Sequence, residues 1–111
     1  CHLFAAGYEL RTPAGYARTM QELHACVGID RVKAIHVNDS KTGLGSRVDR
    51  HAHIGDGALG TAAFRLLLND RRFRRGPMIL ETPKDGDDGV ADRRNLARLR
   101  RLLDRARIIR E

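Results

Sequence analysis

The sequence predicts an α/β fold with parallel strands. Two short apolar runs rich in β-branched residues, 32–37 and 77–81, are each followed along the chain by a segment with helical periodicity. Both runs are almost free of polar residues, as strands covered on both faces are. Strands that alternate with helices pair in parallel through right-handed crossovers.

Residues 13–27 are expected to form the first helix. Thr12 is placed to cap it, and Pro13 suits the first helical position, where its missing N–H costs nothing. Tyr16, Met20, Leu23 and Val27 recur along one stripe, and Gly28 stands where a left-handed residue ends a helix. After a turn at 29–31, the run 32–37 is polar only at Lys33 and His36 and reads as a buried strand. Residues 38–60 show neither helical nor strand periodicity and hold Gly43, Gly45, Gly55, Gly57 and Gly60. A connection of that length inside a compact domain is usually functional. Thr61 is expected to cap a helix over 61–69, with Phe64, Leu67 and Leu68 inward. A basic turn, 71–76, leads to the second buried strand, 77–81, which tolerates Pro77 at its start. A polar loop, 82–89, precedes a last helix over 91–107. Leu96, Leu99, Leu103 and Ala106 lie on its inner stripe, and Arg93, Arg94, Arg98, Arg101 and Arg105 on a solvated face.

The chain has 111 residues, enough for one small domain. Two parallel strands do not make a sheet by themselves, because each needs neighbours on both edges. The sequence is therefore expected to be a piece of a larger α/β protein. Its opening on Cys1-His2-Leu3-Phe4, with no initiator Met and no signal-peptide pattern, fits that expectation. No apolar run approaches the roughly 18–20 residues a membrane helix needs. Two cysteines are too few for a disulfide scaffold, so a reducing, intracellular setting is the simpler reading. The formal net charge of +7 comes mostly from arginine, since only Lys33, Lys41 and Lys84 are lysine. A basic balance attracts nucleic acid, but only non-specifically.

The chemistry-bearing residues fall at strand ends and in the long loop. His36 and Glu81 lie at the C-terminal ends of the two strands. Parallel strands expose those ends on one face, where active sites assemble. Asp49 and His51 are two apart in an extended segment and point to the same side, so together they can grip one cation. A carboxylate with an imidazole suits Zn²⁺ better than Mn²⁺. His2 is the candidate third ligand, ahead of His53. His24 reads as a residue on a helix flank, Cys26 as a small buried apolar residue, and Cys1 as a thiol that nothing pairs with a base. Arg47 and Arg50, with Lys41 and Ser46 nearby, place cations beside the proposed ligands and favour a phosphate-bearing substrate.

The motif His36-Val37-Asn38-Asp39-Ser40-Lys41, then Gly45-Ser46-Arg47-Val48-Asp49-Arg50-His51, then Ile54-Gly55-Asp56-Gly57, resembles the signature of the endonuclease IV family of apurinic/apyrimidinic endonucleases. Cys1-His2-Leu3-Phe4-Ala5-Ala6-Gly7-Tyr8 is similar to the end of an upstream signature, and Ile79-Leu80-Glu81-Thr82-Pro83 to the last strand. The resemblance implies a TIM barrel, with residues 1–111 as the C-terminal portion of a single domain: about two βα units and a preceding helix. It implies a trinuclear zinc site that hydrolyses the phosphodiester 5′ to an abasic nucleotide in duplex DNA, acting in base excision repair. His2, Asp49 and His51 would ligate one zinc, and His36 and Glu81 would serve a second. The remaining ligands of the family, including the carboxylate that bridges two zincs, have no counterpart in these residues, so the isolated chain is expected to be inactive. Asn38, Ser46, Arg47, Arg50 and Tyr8 are the expected DNA contacts, with Asp39 and Ser40 able to orient His36 or meet the backbone. A monomeric, cytoplasmic and nucleoid-associated enzyme with no membrane partner is implied. The alternative is a metal-dependent sugar isomerase or epimerase on a similar barrel. A non-catalytic basic module leaves the convergence of His2, His36, Asp49, His51 and Glu81 without a reason.

Overall fold

The computed structural model describes residues 1–84, 86 and 88–104. Its elements are α1 (His2–Ala5), α2 (Pro13–Cys26), β1 (Ile35–Val37), β2 (Asp39–Ser40), β3 (His51–Ala52), α3 (Gly60–Leu68), β4 (Met78–Leu80) and α4 (Val90–Arg101). One-turn 3₁₀ segments occupy Ile29–Arg31 and Arg71–Phe73. The expected parallel pairing is present. β1 and β4 run side by side in the register Ile35↔Met78, His36↔Ile79 and Val37↔Leu80, with α3 in the connection between them. Among the described residues no helix is long and apolar enough to cross a membrane.

The helix α2 begins as its sequence dictates. The Thr12 hydroxyl accepts from the Gly15 N–H, and Pro13 takes the first position. Tyr16 and Met20 are buried and Leu23 is half-buried, but Val27 is exposed and Thr19 takes the inner place. Val27 has already left helical geometry, so it does not continue the stripe. Cys26, expected to be buried, is exposed. It lies at the helix end, where the chain turns away through Gly28 at φ 95°. The Tyr16 hydroxyl donates to Asp70 Oδ2 at 2.7 Å, and Arg72 donates twice to the same carboxylate, which locks α2 to the turn after α3. Burial, with that hydrogen bond second, pushes the Tyr16 phenol well above its ordinary value.

Both strands are shorter than their apolar runs, and neither is covered on both faces. His36 is exposed in β1, and Ile79 is 48 % exposed in β4. Among the described residues β1 hydrogen-bonds β4 and no other strand, so the sheet is two strands wide. An apolar cleft of about 390 Å³ lies open beside β1, lined by Tyr16 and Met20 of α2, Ile35 of β1, Phe64 and Leu67 of α3, and Phe73.

The long segment 38–60 carries a ladder that the sequence reading leaves out. β2 and β3 pair antiparallel, Asp39↔Ala52 and Ser40↔His51. Two residues are too few to show a period, which is why the alternation is invisible in sequence. The rest of the segment is organised by one side chain. Asp39 is fully buried, and its carboxylate accepts from the N–H groups of Ser40, Gly55, Gly57, Leu59 and Gly60 at 2.8–3.2 Å. The last of these opens α3, so Asp39 supplies the capping that was expected of Thr61, and a negative charge at a helix N-terminus is favourable. Gly57 lies so close that a Cβ there would sit 2.4 Å from the Ser40 carbonyl oxygen and 2.5 Å from Asp39 Oδ1.

The helix α4 ends at Arg101, short of the expected 107, because Asn69 captures the chain there. Its side chain donates to the Leu102 carbonyl and accepts from the Asp104 N–H. Leu99 is buried and Leu103 half-buried, but Leu96 is 40 % exposed. Ala106 and Arg105 lie outside the described residues. Arg93, Arg94 and Arg101 are exposed as expected. Arg98 is not a solvated residue: it donates to the Ile54 carbonyl at 2.8 Å and pairs with Asp56 at 3.1 Å. Asn95, 1 % exposed, accepts from the Ile54 N–H and donates to Thr82 Oγ1 and the Ala91 carbonyl.

Leaving buried amides without an acceptor costs about 1–3 kcal/mol for each group. Asp39→Ala strands five of them and is expected to lower stability by at least about 3 kcal/mol, read from the denaturant midpoint. Gly57→Ala is expected to destabilise through the same loop. An unchanged midpoint in both variants would remove Asp39 from its organising role.

Candidate metal centre

β1 and β4 set the first pair of side chains. Parallel register brings the ends of both strands to one level, and the Glu81 N–H reaches the Val37 carbonyl just beyond it. His36 and Glu81 then meet, His36 Nδ1 to Glu81 Oε2 at 3.1 Å. Both are partly open to solvent, so the pair stands on the surface at the strand ends.

The second group forms around Asp49. Its carboxylate meets His2 Nε2 through Oδ2 at 2.8 Å and His51 Nε2 through Oδ1 at 2.9 Å. The chain brings these together from three places: the first turn of α1, the extended stretch before β3, and β3 itself. The Gly45 N–H bonds to the Phe4 carbonyl, and the Arg47 N–H to the Ala5 carbonyl, which holds the long loop against α1. Gly7 and Gly45 face each other across that seam, both with positive φ. The two histidine rings stand edge to face with centroids 6.2 Å apart, so they address opposite oxygens of the carboxylate.

The two groups are joined. His51 Nδ1 lies 2.8 Å from the backbone carbonyl oxygen of Glu81. A carbonyl only accepts, so the His51 proton belongs on Nδ1. Neutral His51 then presents the lone pair of Nε2 to Asp49 Oδ1, which is also an acceptor. Two acceptors 2.9 Å apart require a cation between them, either a second proton on the ring or a metal ion. A carboxylate and imidazoles are zinc donors, and a carbonyl that fixes the outer nitrogen is the usual support of a metal-binding histidine. The residues present therefore fit zinc.

The hydrogen bond from His2, assisted by that from His51, holds the Asp49 carboxyl below the usual carboxylate range, against a smaller opposing effect of desolvation. A depressed value means that the ionised form is favoured by the fold. Its contribution is complete above the ordinary carboxyl range and is lost as pH falls through the lowered value.

The remaining sequence-predicted residues are less convergent. Arg47 and Arg50 are exposed beside the Asp49 group, Arg47 with φ 59°. Tyr8 is 39 % exposed. The Ser46 hydroxyl donates to Thr42 Oγ1 and accepts from the Val48 N–H, so it shapes the loop. Asn38 is only 2 % exposed, and its amide turns inward to Cys1 Sγ at 2.9 Å. Asp39 does not orient His36; its lone pairs are taken by the loop amides. His53 faces Asn95, away from Asp49, and His24 accepts from the Ile29 N–H at the end of α2. Cys1 and Asn95 were not singled out for the site by sequence reasoning. Cys1 adjoins His2, which is the signal that could have found it. Asn95 has no signal beyond being a polar residue on an otherwise apolar stripe.

Comparison with known proteins follows the same pattern. The model of the xylose isomerase-like TIM barrel family matches residues 1–107. A relative from Chloroflexus aggregans named "Probable endonuclease 4" is 61% identical over 103 residues, which is 93% of this chain and 36% of that protein. One of the same name from Geobacter sulfurreducens is 55% identical over 105 residues, 95% of this chain and 35% of that protein. The crystal structure of endonuclease IV from Thermus thermophilus superposes with a TM-score of 0.77 at 40% identity, covering 92% of this chain and 36% of that one. The resemblance read from the motifs thus holds along nearly the whole chain, and the fold class is that of a TIM barrel. The chain spans about a third of the length of the relatives it matches.

In His2→Ala, the Asp49 carboxyl is expected to titrate closer to the ordinary value of about 3.9. Carboxyl carbon NMR shifts of the metal-free protein followed against pH would show it. An unmoved titration would mean that His2 is not the main cause of the depression.

Proposed function

Because the chain belongs to the xylose isomerase-like TIM barrel family, we propose that it is the C-terminal part of a zinc-dependent DNA-repair endonuclease of the endonuclease IV type. On this reading the whole protein hydrolyses the phosphodiester 5′ to abasic sites in duplex DNA, inside the cell and as a monomer. The observation that carries the proposal is the facing pair of acceptors, His51 Nε2 and Asp49 Oδ1, 2.9 Å apart with His2 on the second oxygen. The matched motifs and relatives support the same assignment.

His2, Asp49 and His51 would hold one zinc, and His36 with Glu81 would contribute to a second. Zinc bound there supplies positive charge against the phosphate oxygens and makes a water acidic enough to act as a nucleophile near neutral pH. The chain's own residues do the positioning. The Glu81 carbonyl fixes the His51 ring by its Nδ1 proton. Asp49 divides its two oxygens between two imidazoles, which sets their separation. Arg47 and Arg50, exposed on the same loop, are placed to meet phosphates flanking the reacting one, with Tyr8 on the adjoining loop. Asn38 is buried, so its contribution is support of Cys1 behind the cluster and not a contact with DNA.

Zinc content and incision of a duplex with a single abasic analogue, measured together on the full-length protein, test the proposal. Asp49→Ala and His51→Ala are each expected to lower both strongly, with incision falling at least about 100-fold, a typical loss when an electrostatic group at the reacting centre is removed. Retention of zinc and incision in either variant would overturn the reading. Turnover of a ketose or aldose without any incision would identify a sugar isomerase instead.

A further inference from the structure

We propose that Cys1 Sγ is a metal ligand, completing with Asp49 and His51 a site that takes a thiophilic divalent cation such as zinc. The proposal deepens the metal-dependent reading above and rests on it. Among the described residues, the one group of donor atoms gathered tightly enough to share a cation is Cys1, Asp49 and His51, whose ligand atoms lie within 4.8 Å of one another. His2 touches the same carboxylate from its other oxygen and stands outside that group.

The separations favour sulfur coordination over a thiol hydrogen bond. Cys1 Sγ lies 3.5 Å from Asp49 Oδ1. A tetrahedral zinc with sulfur at about 2.3 Å and carboxylate oxygen at about 2.0 Å holds those two atoms about 3.5 Å apart. A second observation is independent of the cluster. Asn38, 2 % exposed, directs its amide N–H at Sγ at 2.9 Å. A buried donor aimed at sulfur engages it as an acceptor, and hydrogen bonds to the sulfur are one means by which proteins tune a metal thiolate. When the metal binds, the thiol proton leaves to solvent and the sulfur–metal bond takes its place, so charge and protons balance. A thiolate donor selects zinc, cobalt or cadmium over magnesium, calcium or manganese. With His2 as the fourth donor, this cation would have four protein ligands, the closed arrangement of metals that hold a structure and charge in place.

Titrating metal-free, full-length protein with Co²⁺ tests the assignment by absorption. Cys26→Ser serves as the control and Cys1→Ser as the test variant. The expected result is an intense near-ultraviolet thiolate-to-cobalt band in the unsubstituted protein and in Cys26→Ser, lost in Cys1→Ser while the visible ligand-field bands persist. Visible bands without the near-ultraviolet band in the unsubstituted protein, or survival of that band in Cys1→Ser, would overturn the role of Cys1 and leave the metal centre standing. Absence of cobalt bands of any kind would remove both. Should Cys1→Ser fail to fold, cadmium NMR of the unsubstituted protein decides, because a sulfur donor moves the resonance far downfield of a nitrogen–oxygen site.

Discussion

Asp39 is a carboxylate with no access to water, and its charge is met by five backbone N–H groups drawn from both sides of a long loop. Burying an ion is costly unless its lone pairs are filled. Here the filling is done by amides that would otherwise need acceptors of their own, so one group satisfies several. The geometry follows from that constraint. The turn through Gly55 and Gly57 must bring its N–H groups inward, the first turn of α3 must start where Asp39 sits, and β2 must lie against β3. β3 carries His51, so the position of a candidate ligand depends on a charge that never touches it.

The strand pair imposes the complementary constraint. Register between β1 and β4 puts the Glu81 carbonyl level with His51 Nδ1, while the Glu81 side chain meets His36. One residue thus serves both groups, with its backbone for one and its carboxylate for the other. A slip in strand register would misplace both at once. The cluster around Asp49 is correspondingly exposed to solvent, because rigidity comes from backbone contacts beneath it and not from enclosure.

Much of this was legible in the residues. Capping by Thr12 and Pro13, the alternation of helix and strand, and the strand-end placement of His36 and Glu81 all follow from local rules. So does the two-residue spacing of Asp49 and His51. What local rules missed was set by distant partners. Thr61 looks like a cap, but Asp39 reaches across 20 positions to take that role. Arg98 looks solvated by helical phase, yet the loop carrying Ile54 and Asp56 comes to it. The last helix looks longer than it is because nothing in its own stripe announces Asn69. Buried strands were inferred from apolar content, and the content was right; their coverage is not supplied by the described residues, and the cleft beside β1 records the difference.

Asn95 sits in the second turn of α4 and grips the Ile54 N–H with one end of its amide and Thr82 with the other. Ile54 is three residues past His51, and Thr82 is next to Glu81. Insertion or deletion of one residue between the start of α4 and Asn95 would turn the amide by about 100° around the helix axis. Both grips would then be lost together. The first turns of α4 therefore tolerate no change of length, although that segment carries no ligand and would look free to vary in any inventory of the site.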